Sequence, residues 1–171
     1  MKTITKLIIS AMLMCIIMPA SAQKSSVLKI MEQYQHKEGT LYNTVNTKDI
    51  QISTDNLKTD VASMKVNIEK SQIPAGVETI NIMMYMGEDD SESSGLRKRM
   101  KNALKSYEVL MEIKFQGVDA TLYSKAIDEQ YLSELVLYCP SMMNAVILFQ
   151  GKMSAEEIAQ QLMGEGKIEF N

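Results

Sequence analysis

Tyr107–Leu162, YEVLMEIKFQGVDATLYSKAIDEQYLSELVLYCPSMMNAVILFQGKMSAEEIAQQL, is the stretch whose reading decides the fold. Val109, Met111, Ile113 and Phe115 alternate with Leu110, Glu112, Lys114 and Gln116, the period-2 pattern of a strand with one buried face. Ala120 to Ala126 and Leu132 to Cys139 are two further strand-length runs. Asn144 to Gln150 (NAVILFQ) is apolar without alternation, so it is expected to be covered on both faces and to lie near the middle of a sheet. Ser154 and Glu157 then have capping-box spacing: the hydroxyl accepts from the Glu157 amide while the Glu157 carboxylate reaches back. That fixes a helix start, and Ala155, Ile158, Ala159 and Leu162 form one stripe able to lie on the sheet.

Upstream, Pro74-Ala75-Gly76 is a break, after which Val77 to Met86 reads as a strand. Ile80, Ile82, Met84 and Met86 point one way and Asn81, Met83 and Tyr85 the other. Gly87 to Gly95 (GEDDSESSG) reads as an exposed, mobile acidic loop. A helix is predicted from Ser94 or Gly95, with Leu96, Met100, Ala103, Leu104 and Tyr107 in one sector and Arg97, Lys98, Lys101 and Lys105 on the other. Leu57, Val61, Met64 and Ile68, spaced four, three and four, predict a further helix capped by Asp55. Thr40 to Val45 and Asp49 to Ser53 lean towards strand. The first predicted helix is capped by Ser26, carries Val27, Leu28, Met31 and Tyr34 on one face, and stops at Gly39.

The first 22 residues have a different character. Lys2 and Lys6 precede a short apolar run, Leu7 to Met18, and Pro19-Ala20-Ser21-Ala22 follows, the pattern of a secretory signal peptide cut after Ala22. The run is too short to span a bilayer, so no stable membrane insertion is expected once it is removed. Met14 before Cys15 is too bulky for a lipobox, which argues against a lipid anchor. The mature chain, 23–171, then has 16 basic against 21 acidic residues, a formal charge of −5. That balance argues against nucleic acid as the main partner. Cys139 is its one cysteine, so no internal disulfide forms and stability rests on the core. With 46% hydrophobic residues, 15 methionines, three phenylalanines and no tryptophan in the whole chain, that core is aliphatic and methionine-rich.

The inventory for chemistry is thin. The acidic loop's Glu88, Asp89, Asp90 and Glu92 lack the alternating ligand spacing of a calcium loop. Arg97 to Lys101 reads as the wet side of an amphipathic helix rather than a phosphate site. His36, the only histidine, is expected to face solvent near a helix end. Cys139 precedes Pro140 at a strand end and reads as a structural thiol. Thioethers are soft Cu(I) ligands, and Met83-Met84-x-Met86 and Met142-Met143 are dense groups. On a strand, however, Met83 opposes Met84 and Met86, so core filler is the simpler reading. No nucleophile elbow, phosphate-binding glycine loop or zinc motif is present, and no cofactor or metal is expected.

At Tyr107-Glu108-x-Leu110-Met111, Tyr123-Ser124-Lys125, Glu134-Leu135-Val136, and Gly151 leading into Ala155-Glu156-Glu157-Ile158 and Leu162, the chain resembles the small exported domains of unknown function abundant in Bacteroidota-type bacteria. The resemblance covers the last third of the chain. It implies an α+β domain in the periplasm or at the cell surface, with no catalytic residues to carry over. Some members accompany envelope-signalling genes, which implies regulation rather than chemistry. The segment Asn46 to Ser71 departs from the family's pattern.

The expectation is therefore one α+β domain over 23–171, a mainly antiparallel sheet of four to six strands with helices packed on one face. Its expected role is that of a non-enzymatic exported binding or regulatory module recognising a protein or small ligand. Glu112, Lys114, Tyr123 and Lys125 are the candidate binding residues, provided the sheet's second face stays uncovered. A hydrolase with an unrecognised carboxylate site and a Met-based copper-handling protein are the rival classes.

Overall fold

The computed structural model describes residues 25–48, 57–61, 64–68, 73–115, 117–141 and 143–164. An unbroken apolar run is expected near the middle of a sheet, and β8 (Ala145–Ser154) lies there. β4 (Val77–Tyr85) pairs with one of its edges and β7 (Tyr131–Cys139) with the other, both antiparallel. Outside them lie β1 (Thr40–Asn46) on β4, and β6 (Val118–Ala126) followed by β5 (Glu108–Phe115) on β7. The result is an open six-stranded antiparallel sheet in the order β1-β4-β8-β7-β6-β5, within the predicted α+β class.

Period 2 divides the sheet into two apolar faces. On the first, Met83, Tyr85, Val136, Val146 and Leu148 are buried under α1 (Ser26–Tyr34) and α2 (Asp90–Leu104), which contribute Val27, Met31, Tyr34, Leu96, Met100 and Leu104. Each large side chain fully removed from water there contributes about 1.5–3 kcal/mol. The reverse face carries Ile80, Ile82, Leu135, Ile147 and Phe149. It is covered at one end by α3 (Ala155–Gly164), whose Ala155, Ile158 and Leu162 form the expected stripe. The two longer-range layers thus differ: α1 and α2 share a face, and α3 lies on the other.

The helix starts follow from side chains that satisfy otherwise unpaired amides. Ser154 Oγ accepts from Glu157 N at 3.3 Å, as the capping spacing predicted. Ser25 Oγ accepts from Leu28 N at 3.2 Å, so α1 is capped one residue earlier than Ser26. Asp89 Oδ1 accepts from Ser91 N at 2.8 Å and Glu92 N at 3.3 Å. The acidic stretch read as a mobile loop is therefore partly the first turn of α2, where Asp90 and Glu92 suit the positive end of the helix. Tyr107 lies beyond that helix, which ends at the Lys105 cap.

Three other expectations are corrected. Leu57–Val61 and Met64–Ile68 are not a helix but β2 and β3, an antiparallel pair with Val61 opposite Met64. The two spacings of four are even, so they satisfy a strand face as well as a helix stripe; the single odd step falls between the strands. Val109 does not share a face with Met111, because a bulge at Leu110 pairs Val109 with Tyr123 and Met111 with Leu122. Val109 is accordingly 55% exposed. Met84, Met86, Met100 and Met111 fall on the faces that periodicity assigns inward, yet only Met100 is fully buried; Met84 and Met111 are half-buried and Met86 is exposed, while Met83, on the opposite face of β4, is fully buried. β4 is an interior strand with cover on both faces, which alternation alone does not show. The signal peptide, Asp49 to Ser53 and Met142 lie outside the described residues.

Candidate binding site

The reverse face supplies an apolar concave feature. α3 crosses only the end nearest the β6–β7 turn, and that end is built locally. Asp128 Oδ1 accepts from Gln130 N and Tyr131 N, both at 2.9 Å, which closes the turn, and the Gln130 carbonyl accepts from Ala155 N at 2.9 Å, which ties down the start of α3. Between α3 and the β5–β6 edge this leaves a groove of about 790 Å³. Leu110, Met111, Leu132, Ile158, Leu162 and Met163 form its apolar walls. Glu108, Asp128 and Glu129 stand at its rim, all exposed to solvent. The site is thus an apolar trough ringed by negative charge. Met111 and Met163 give its walls flexible, polarisable side chains of the kind that adapt to varied apolar partners.

On the opposite face lies a buried polar cluster that anchors α1 to the sheet. Glu134, 6% exposed, accepts at Oε2 from Ser25 Oγ at 2.9 Å and from the Tyr107 hydroxyl. The Ser25 and Tyr107 oxygens are themselves 3.3 Å apart. Burial, reinforced by the neighbouring Glu134 carboxyl, raises the Tyr107 pKa well above the usual tyrosine value and keeps it a proton donor. Lys125, the register partner of Glu134 on β6, places its ammonium 5.6 Å from the Tyr107 ring centroid. Among the described residues Glu134 is the only buried carboxyl, and neither it nor Tyr107 lines the groove. This cluster is structural: a single serine at once caps α1 and binds the central carboxyl.

Glu112, Lys114, Tyr123 and Lys125 all fall on the α1–α2 side of the sheet. Tyr123 is half-buried against the core and Lys125 sits over Tyr107, while Glu112 and Lys114 are exposed on β5. The groove opens on the other face, and its residues carry no mark of a site in the sequence. Leu162 and Ile158 belong to the predicted packing stripe, and nothing in a stripe shows where its cover ends. Glu134 carried a signal, since it is a carboxyl at the same strand parity as Val136 and Tyr138. Cys139 is half-buried, and burial raises its thiol pKa, which disfavours the thiolate. Among the described residues no three His, Cys, Asp or Glu side chains converge as a metal site, and Met83 and Met84 occupy opposite faces of β4.

With this arrangement in view, the profile of a domain of unknown function, DUF4252, matches residues 34–161. The chain belongs to the DUF4252 family. That match spans all eight strands, α2 and most of α3, so the sheet and the groove lining other than Leu162 and Met163 fall within the DUF4252 match. No curated protein and no solved structure matches the chain. Among the described residues no helix of this DUF4252 protein is long and apolar enough to cross a membrane.

Proposed function

We propose that this DUF4252 protein is a non-enzymatic, exported binding module of the cell envelope. In this reading the groove between α3 and β5–β6 receives an apolar segment flanked by basic residues. The observation that carries it is the combination of apolar walls, Leu132 and Ile158 among them, with a rim of three exposed carboxylates. Apolar walls supply affinity, and the rim selects positive charge. The composition of residues 1–22 supports export, and intact mass of the exported form is expected to begin at Gln23. A mass retaining residues 1–22, or a lipid on Cys15, would overturn that part.

Leu110 and Met163 are exposed wall residues, so changing them spares the core. An environment-sensitive apolar dye is expected to bind the native protein. Leu110→Glu with Met163→Glu should weaken it roughly tenfold or more, from lost apolar area and added charge. A dye that ignores both substitutions would place apolar binding elsewhere and remove the basis for the proposal.

A further inference from the structure

We infer that the outer edge of β5 is a self-association surface, pairing antiparallel with β5 of a second copy about a two-fold axis at Ile113. β5 ends the sheet, and among the described residues no strand pairs with its outer edge, whereas the opposite edge, β1, has β2 beside it. An unpaired strand of eight residues presents a row of amides and carbonyls that templates another strand.

Charged residues on an edge usually discourage such pairing, but here their order invites it. With Ile113 opposite Ile113 of the second copy, Glu112 faces Lys114 of the second copy and Lys114 faces its Glu112. Met111 meets Phe115 in the same register. Opposite charges directly across an antiparallel pair stabilise it, and like charges would oppose it. Glu112 and Lys114 are both exposed, on the side that pairs with Thr121 and Asp119. The bulge at Leu110 also selects this register. Met111–Phe115 stays in regular step with β6, whereas a two-fold at Met111 would set Glu108 against Lys114 but run the pairing through the bulge.

A two-fold perpendicular to the sheet keeps the same faces together. The two grooves would therefore lie on one side of a continuous sheet, flanking the seam. This inference goes beyond the binding reading and does not rest on it.

Sedimentation equilibrium of the purified protein over a wide concentration range tests it, with a concentration-dependent dimer as the expected result. Glu112→Lys alone and Lys114→Glu alone should each weaken the dimer roughly tenfold, since every charge pair at the seam becomes repulsive. The double variant should return to within about threefold of the parent, because the pairs are restored with signs exchanged. Three results overturn the inference: a monomer throughout, a dimer indifferent to both single reversals, or a double variant as weak as the singles. A monomer that dimerises only after residues 165–171 are deleted would also overturn it, by assigning the edge to the chain's own C-terminal segment.

Discussion

Gly76→Ala is expected to cost about 3–5 kcal/mol, a large part of the stability of a domain this size. Gly76 sits at φ +85°, and a Cβ added there would lie 2.0 Å from the Lys152 carbonyl oxygen. The obstacle is backbone of β8, a central strand paired on both edges, so it cannot yield as a surface side chain would. The approach is mutual, since a Cβ on Gly151 would lie 2.1 Å from the Gly76 oxygen. Gly117 supplies the control: it has the same φ of +85° but nothing within 4 Å of an added Cβ. Gly117→Ala should therefore show only the left-handed backbone cost, about 1–2 kcal/mol. Urea unfolding of the two variants separates the terms, and equal losses at both positions would show that the Gly76 contact is not a constraint.

Tyr107→Phe should cost about 2–3 kcal/mol, because it leaves a buried carboxyl with one donor fewer rather than merely removing a neutral hydrogen bond. Among the described residues only Ser25 then serves Glu134, and the same hydroxyl must still cap α1. Tyr123→Phe, on a half-buried tyrosine of the same face, should change stability by less than about 0.5 kcal/mol. A second readout distinguishes the hydroxyl's chemistry from loss of shape. The Tyr107 pKa is raised on folding, so it contributes stability that is complete below the unfolded tyrosine value of about 10 and is lost as pH rises through its folded value. Removing the hydroxyl should make the alkaline decline in stability shallower. An unchanged decline, with unchanged stability near neutrality, would mean that the cluster does not hold α1.

Local pattern carried furthest where a single period was decisive. The unbroken run in β8, the alternation in β4 and the Ser154–Glu157 spacing each impose one local solution, and each is found. Where two periods fit the same residues, local pattern failed. Leu57, Val61, Met64 and Ile68 suit both a helix stripe and two strand faces, and the antiparallel pairing of β2 with β3 satisfies their backbone groups across the chain. The extra residue at Leu110 reversed the face of Val109 for a similar reason, since a bulge is a property of two strands together and not of one.

By itself, then, the sequence determined the α+β class, the central position of β8, the capped C-terminal helix and the methionine-rich composition of the core. These depend on residues within about two turns or one strand of each other, where side-chain period and capping act directly. The tertiary structure alone decided that α3 lies on the face opposite α1 and α2, so that the groove opens there, and that Glu134, Tyr107 and Ser25 meet. Glu134 and Ser25 are separated by 109 positions, and a hydrogen bond between them exists only once the sheet has fixed which strand neighbours which. Likewise, the apolar stripe of α3 specifies that it must be covered, but the area it leaves uncovered depends on the width of the sheet beneath it.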